Sequence, residues 1–128
     1  AGKIRKHPVG ISGSNFLPPY PIELDFLLRD FFDWYHENKK TLHPVQLAGL
    51  AHLKFVTIHP FGDGNGRLSR LLMNYVLHKN GYPMLIIPYS QRKSYYTALE
   101  RSQLKKDENI FILWFFKRYL KEYKQYLI

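Results

Sequence analysis

A glycine-rich stretch in the middle of the chain constrains the fold more than any other feature of the sequence. Residues 58–70 read IHPFGDGNGRLSR and hold three of the eight glycines, spaced two apart, between two apolar helical patterns. Glycine weakens a helix, and it lets the chain turn or a ligand approach the backbone closely. The stretch therefore predicts a break between two helices, with the second helix beginning almost at once.

Apolar residues at helical spacing on both sides of this break predict a mainly α fold. In the second of these helices we expect Leu47, Leu50, Ala51 and Phe55 to form one buried face. We expect five helices, over about 23–38, 45–58, 68–79, 90–102 and 107–128, with Pro44, Ser90 and Asp107 at the starts of the second, fourth and fifth.

Two other stretches are expected to be extended. Near the N-terminus, two separated glycines and a Val-x-Ile alternation predict a small β-hairpin over about 5–16, followed by the proline-rich LPPYP at 17–21. The apolar run PMLIIP at 83–88 lies between prolines and should be extended and buried.

The length and composition limit the classes of protein that fit. With 128 residues the chain suits one domain, over 1–128, with its own core. It has no cysteine, which excludes disulfides and thiolate metal sites and leads us to expect a cytoplasmic location. No apolar run approaches the ~18 residues of a membrane span. Because the chain does not begin with Met, we expect a fragment that lacks an upstream segment.

The chain is strongly basic. It has 19 Lys and Arg against 10 Asp and Glu, a net charge of +9, which attracts nucleic acids, nucleotides and acidic protein surfaces. The lysines are scattered and form no block, which argues against a disordered arm that binds nucleic acid. His36, His43, His52 and His78 have no evident partner in the sequence, and we do not expect them to be catalytic.

The residues of the glycine-rich stretch predict an anion site. A helix begins near Gly64, Asn65, Gly66 and Arg67, and the start of a helix presents unpaired N–H groups and partial positive charge. Arg67 and Arg70 are three residues apart, so both side chains lie on one face of the helix and can reach a chain of phosphates.

A carboxylate and a histidine stand beside this anion site. Asp63 can hold a divalent cation, and Mg²⁺ prefers one or two carboxylates together with phosphate oxygens. His59, with an ordinary pKa of ~6.5, can accept a proton from a hydroxyl group. The set predicts a phosphoryl- or nucleotidyl-transfer site. The alternative is a glycine-rich turn with incidental polar residues; a P-loop is excluded because no Gly-Lys-Ser/Thr closes the stretch.

The stretch resembles the signature of the Fic domain family, His-x-Phe-x-Asp/Glu-Gly-Asn-Gly-Arg-x-x-Arg, which is complete here from His59 to Arg70. The resemblance extends over nearly the whole chain. It implies a Fic-type helical bundle, with residues 59–70 as the motif loop and the N-terminal hairpin as a flap. It also implies a protein adenylyltransferase, which moves AMP from ATP to a Ser, Thr or Tyr hydroxyl of a target protein.

The resemblance also implies a role for each site residue. His59 would deprotonate the target hydroxyl, and Asp63 would bind the Mg²⁺ that accompanies ATP. Phosphate oxygens would be held by Gly64, Asn65, Gly66, Arg67 and Arg70. Tyr95, Tyr96 and Gln103 would contact the adenosine, with ordinary helix packing as the alternative for the two tyrosines. The flap residues Val9, Gly10, Ile11 and Ser12 would dock an extended piece of the target main chain.

The motif leaves several points open. The first alternative is a Fic-type transferase with another nucleotide or a phosphocholine donor, and the second is a basic helical module that binds nucleic acid, which leaves His59 and Asp63 without roles. The family's inhibitory motif, Ser/Thr-x-x-x-Glu-Gly/Asn, is absent from these 128 residues. We therefore expect an inhibitory helix in a missing segment or a separate partner, and self-modification of the isolated chain. Formation of a homodimer stays open.

Overall fold

The structure, a computed structural model, describes residues 3–124, and these residues are mainly helical. No β-strand forms among them. The mainly α prediction is confirmed; the predicted residues 125–128 of the last helix lie outside the described part. The helices are α1 (Leu24–Asn38), α2 (Pro44–Ile58), α3 (Asn65–Lys79), α4 (Arg92–Lys105) and α5 (Glu108–Tyr123), with short 3-10 turns at Pro21–Glu23 and Tyr89–Gln91.

The central helix is α2, which packs against α1, α3 and α5, while α4 packs on α5. A helix that is apolar on every side has to be covered on every side. Gly49 lets α5 approach, because a Cβ there would lie 2.8 Å from Cδ2 of Phe115. The prediction of one buried face was therefore too narrow, since α2 buries Val45, Leu47, Ala48, Gly49, Leu50, Ala51, His52, Leu53, Val56 and Ile58.

Of the three helix starts predicted from the sequence at named residues, two are confirmed. Pro44 opens α2, and Asp107 caps α5 by accepting a hydrogen bond from the backbone N–H of Asn109. Ser90 is not the cap of α4, which begins at Arg92 after the 3-10 turn. His43 does have a partner, contrary to expectation: its Nδ1 accepts a hydrogen bond from the backbone N–H of Val45 and so caps α2.

The predicted β-hairpin over 5–16 is not formed. This segment, residues 5–16, is irregular, with a bend at His7 and a turn at Ser12 and Gly13 that is closed by a hydrogen bond from the Ser14 N–H to the Ile11 carbonyl at 3.1 Å. Gly13 has φ +77°, a left-handed conformation that suits glycine. A hairpin needs two strands that are paired by backbone hydrogen bonds. Within residues 5–16 the one backbone hydrogen bond closes the turn.

The N-terminal segment is instead held to the rest of the molecule by individual hydrogen bonds. The Arg5 N–H donates to the carbonyl of Pro60 at 3.0 Å. Further along, the Ser14 hydroxyl and the Asn15 N–H both donate to the carboxylate of Glu100 on α4, at 2.9 and 2.6 Å. These contacts connect the segment to the loop between α2 and α3 at Pro60 and to α4 at Glu100.

The run at 83–88 forms neither a helix nor a strand, and it is buried only in part, not wholly as predicted. Leu85 is buried, and its backbone forms two hydrogen bonds with the side-chain amide of Asn74 on α3. Its neighbours Met84 and Ile86 are exposed. Within residues 3–124, no helix combines the length and apolar character needed to cross a membrane.

Candidate active site

Two residues in left-handed conformations frame the loop between α2 and α3. His59 ends α2 with φ 53° and ψ 58°, and Gly64 precedes α3 with φ 77°. A left-handed conformation is common for glycine but unusual for histidine, so the surroundings must hold His59 in place. The predicted break between two helices is confirmed, and it occupies the residues between Ile58 and Asn65.

The side chain of Asn65 holds this loop together. It is buried, its Oδ1 accepts a hydrogen bond from the Phe61 N–H at 2.9 Å, and its Nδ2 donates to the Phe61 carbonyl at 2.8 Å. Both polar ends of the amide are thus bonded to the backbone of one loop residue. The resemblance implied a phosphate contact for Asn65, and in this arrangement its backbone N–H, rather than its side chain, is left without a hydrogen-bond partner among the described residues.

The start of α3 has the unpaired N–H groups that the predicted anion site requires. The first amide of the helix with an acceptor is that of Leu68, which donates to the Gly64 carbonyl at 3.0 Å. The N–H groups of Asn65, Gly66 and Arg67 have no acceptor among residues 3–124. Three orphan donors at one helix end suit a phosphate group.

The two motif arginines lie against the two motif glycines. A Cβ on Gly64 would lie 3.3 Å from Nη2 of Arg67, and a Cβ on Gly66 would lie 3.2 Å from Nη1 of Arg70. Glycine at these positions therefore leaves room for both guanidinium groups beside the helix start. Within the described chain neither arginine belongs to an ion pair.

His59 combines an unusual backbone with a half-buried ring. Its Nδ1 is buried and makes no hydrogen bond within the described residues. Burial lowers the pKa of His59, the positive charge of Arg5 lowers it further, and the backbone of Val56 acts in the opposite direction. A lowered pKa keeps the imidazole neutral at pH 7, which is the state in which it can accept a proton.

Arg5 supports the loop from the N-terminal segment. It is 7% exposed, and its guanidinium donates to three backbone carbonyls: to His59 at 2.7 Å, to Pro19 at 2.6 Å and to His7 at 3.3 Å. Sequence reasoning missed this residue, because it stands in the basic stretch KIRKH, and the side chains of such a stretch are usually exposed to solvent. No local signal distinguishes Arg5 from its neighbours.

A cavity of about 610 Å³, here called the donor cavity, brings together six of the fourteen predicted site residues. His59 and Gly66 line it from the motif loop and α3, Tyr96 and Gln103 from α4, and residues 11–14 from the N-terminal segment. Val9 and Gly10 do not line it. Asp63 is exposed in the loop, and the described residues contain no group of three or more metal-binding side chains.

The two predicted adenosine tyrosines are in different environments. Tyr96 is half-exposed and lines the donor cavity, whereas Tyr95 is 2% exposed and its hydroxyl lies 2.6 Å from Nε2 of His52. Burial raises the pKa of Tyr95 to about 12 and lowers that of His52 to about 4, so both are neutral at pH 7. The expectation that His52 lacks a partner was wrong, and Tyr95 belongs to the core.

Two polar contacts on α4 shape the donor cavity. Gln103 Nε2 donates to the Thr57 hydroxyl at 3.1 Å, which orients the side-chain amide. Glu100, which sequence reasoning did not single out, holds Ser14 and Asn15 of the N-terminal segment. A signal for Glu100 was present, since it is the single acidic residue between Asp63 and Asp107.

The comparisons with known proteins agree with this geometry. The sequence model of the Fic/DOC family matches residues 1–77. The chain is 50% identical over 100 residues to the protein adenylyltransferase Fic of Drosophila melanogaster, and 49% identical to that of Drosophila virilis. That alignment covers 77% of this chain and 20% of either relative, so the chain spans about a fifth of the length of these curated relatives.

Solved structures show the same similarity. Fic-1 from C. elegans has a TM-score of 0.82 at 33% identity, over 99% of this chain and 37% of that one. A Fic domain containing signaling protein from Bacteroides thetaiotaomicron also has a TM-score of 0.82, at 30% identity, over 94% of this chain and 52% of that one.

Proposed function

The chain belongs to the Fic/DOC family, and on that premise we propose that it transfers AMP from ATP to a hydroxyl side chain of a protein and releases pyrophosphate. One observation carries the proposal. The donor cavity holds a neutral histidine and the start of a helix, His59 and Gly66, within one space of about 610 Å³. A proton acceptor beside an anion site is what the transfer of a phosphoryl-type group to a hydroxyl requires.

His59 acts as the general base in this proposal. Because its Nδ1 is buried, Nε2 is the ring nitrogen that takes the proton from the target hydroxyl. The hydroxyl oxygen forms a bond to the α-phosphorus of ATP, and the bond from that phosphorus to the bridging oxygen breaks. Pyrophosphate leaves with the electron pair of that bond.

The start of α3 and its arginines hold the phosphates. The orphan N–H groups of Asn65, Gly66 and Arg67 would donate to phosphate oxygens, and the guanidinium groups of Arg67 and Arg70 would balance their charge. These donors are already in place, so they stabilise the charge that develops during displacement without a costly rearrangement.

Asp63 is the candidate ligand for Mg²⁺. Its carboxylate is exposed, has no ion-pair partner among the described residues, and stands next to the helix start that would hold the phosphates. One carboxylate together with phosphate oxygens and water fits the preference of Mg²⁺. When bound, the cation would offset negative charge on the phosphates and help to orient them.

The N-terminal segment is the candidate docking site for the target. It forms no helix or strand, and residues 11–14 border the donor cavity. A strand-like piece of the target could add to it through main-chain hydrogen bonds, which tolerate many sequences. We therefore propose a target class, a hydroxyl residue in an extended loop, without a preferred sequence.

The donor panel is the first experiment. The chain is incubated with labelled ATP, GTP, UTP and CTP in Mg²⁺, and label on protein is measured, with the His59→Ala variant as the control. We expect label from ATP that depends on His59. Preferential use of GTP, UTP or CTP would favour the first alternative. Salt-dependent binding to DNA without any transfer would favour the nucleic-acid module.

Self-modification follows from the state of Arg70. Among residues 3–124, no carboxylate forms an ion pair with it. An Arg70 without an inhibitory carboxylate is available for the γ-phosphate, so the isolated chain should gain AMP on its own hydroxyl residues. Intact-mass measurement after incubation with Mg²⁺-ATP tests this. An inhibitory helix supplied by a separate partner should suppress the added mass.

A further inference from the structure

A second cavity, smaller than the donor cavity, adjoins it at Tyr96, which lines both. Its volume is about 260 Å³. We call it the arginine chamber, since Arg70 from α3 and Arg92 from the start of α4 both line it, together with Tyr89, Tyr95 and Tyr96. Neither Asp nor Glu contributes to its lining.

Arg92 is held in the chamber by aromatic rings rather than by a carboxylate. The centre of its guanidinium lies 5.4 Å from the ring of Tyr89 and 5.8 Å from the ring of Tyr96. Such cation–π contacts fix the side chain but leave its charge and its N–H donors available. The ion pairs of the described chain involve neither Arg70 nor Arg92, so the chamber carries two uncompensated positive charges.

Arg70 and Tyr96 form the boundary between the chamber and the donor cavity. Tyr96 lines both spaces. Arg70 lines the chamber, and its Nη1 lies 3.2 Å from the position of a Cβ on Gly66, a residue that lines the donor cavity. A multiply charged anion released beside Gly66 would therefore meet Arg70 first and Arg92 next.

The position of His59 indicates which part of the donor faces the chamber. His59 lines the donor cavity and does not line the chamber. In phosphoryl-type transfer the attacking and leaving oxygens are roughly in line, on opposite sides of the phosphorus. The general base marks the side of attack, so the leaving group departs on the side away from it.

We propose that the arginine chamber binds the pyrophosphate leaving group, and that Arg92 is the residue that makes the chamber specific for a diphosphate. This inference rests on the proposed function for the origin of the pyrophosphate, although binding can be measured without any transfer. Two guanidinium groups that line one cavity can each hold one phosphate of a diphosphate. Inorganic phosphate has a single phosphorus, so it can form a full set of hydrogen bonds with only one of the two guanidinium groups.

The test is calorimetric titration of sodium pyrophosphate into the 128-residue chain in Mg²⁺-free buffer. Three proteins are compared: the wild type, Arg92→Gln, and Arg101→Gln as the matched control. Arg101 is an exposed arginine on the same helix, and it does not line the chamber. We expect Arg92→Gln to weaken pyrophosphate about tenfold, the effect of losing a charge-assisted contact, and Arg101→Gln to leave it unchanged.

Two further comparisons sharpen the result. Arg92→Lys keeps the charge but loses the planar fork, so it should recover part of the pyrophosphate affinity. Titration with inorganic phosphate should show weaker binding and a smaller effect of Arg92→Gln. Thermal unfolding of each variant confirms that an exposed substitution has left the fold intact.

Three results would overturn the inference: equal pyrophosphate affinity in wild type and Arg92→Gln, an equal loss in Arg101→Gln, or a loss seen for ATP but absent for free pyrophosphate. The last would assign Arg92 to the bound donor instead of the product. Pyrophosphate binding through Arg92 without AMP transfer would reject the proposed function and keep the chamber. If AMP is transferred, and pyrophosphate inhibits the wild type and Arg92→Gln equally, the chamber is rejected and the proposed function stands.

Discussion

Arg5 donates a hydrogen bond from Nε to the backbone carbonyl of His59 at 2.7 Å, across 54 positions of the sequence. The same guanidinium binds the carbonyls of Pro19 and His7, so one side chain connects the N-terminal segment to the candidate base. The carbonyl of His59, whose backbone is left-handed, thereby has a fixed hydrogen-bond donor. The backbone of His59 is therefore held by a residue far outside the motif.

Replacing Arg5 by Met keeps the apolar stem and removes every donor. We expect the free energy of unfolding to fall by about 2–3 kcal/mol, since hydrogen bonds from a charged group are lost and buried carbonyls are left without this partner. Chemical denaturation measures the change. Lys6→Met, at an exposed neighbour, is the matched control, and an equal effect in both variants would show that charge alone is responsible.

His59→Ala should lower the transfer rate ~10²-fold or more, because a general base acts in the transition state. Nucleotide affinity, measured by calorimetry, should stay near the wild-type value, since other groups hold the phosphates. A variant that transfers AMP at the wild-type rate would remove His59 from the mechanism.

The pH profile of the transfer reaction tests the environment of His59. Burial and the charge of Arg5 lower the pKa of His59. A base with a lowered pKa stays neutral to a lower pH, so kcat/KM should remain high through pH ~6.5 and fall below it. In Arg5→Met one cause of the lowering is gone, and the acid limb should move to higher pH. An unmoved limb would contradict the charge effect.

Asp63→Ala should abolish the dependence of the transfer rate on Mg²⁺ together with most of the activity, because the cation offsets phosphate charge during displacement. Asp63 is exposed, so the thermal stability of the fold should not change. Asp33→Ala, at an exposed position on α1, serves as the control. Retention of a normal Mg²⁺ response in Asp63→Ala would place the metal ligand elsewhere.

Asn65→Asp separates two roles of that residue. The change places an oxygen, in place of an N–H donor, opposite the Phe61 carbonyl, which should lower the free energy of unfolding by about 1–3 kcal/mol. A residue that served as a phosphate ligand alone would lose activity without losing stability. Denaturation and activity are measured on the same samples, with Asn109→Asp on α5 as the control.

The Glu100 contact to the N-terminal segment should respond to pH. Hydrogen bonds from the Asn15 N–H and then the Ser14 hydroxyl lower the pKa of Glu100. The contact is therefore present above the ordinary pKa of glutamate, and it is lost as the pH falls through the lowered value. Amide exchange at Asn15 should be about tenfold faster in Glu100→Ala, with Arg101→Ala as the control. Unchanged exchange would show that the segment is held by other contacts.

The sequence by itself determined the local features of this protein. Apolar periodicity predicted the five helices, because an amphipathic pattern reflects the helical repeat directly. The glycine-rich stretch predicted a helix break with an anion site, because glycine conformations and the unpaired N–H groups of a helix start are properties of a few adjacent residues. The identities of His59 and Asp63 as candidate base and metal ligand came from the same short motif.

The tertiary structure alone decided which side chains support that motif. Arg5 reaches His59 across 54 positions and Ser14 reaches Glu100 across 86, and a contact between distant residues leaves no periodic pattern in either neighbourhood. The same reason explains Tyr95, which is buried against His52 while its neighbour Tyr96 lines the donor cavity. Propensity assigns one conformation to both tyrosines, and only the packing of α4 against the rest of the molecule makes one of them buried and the other exposed.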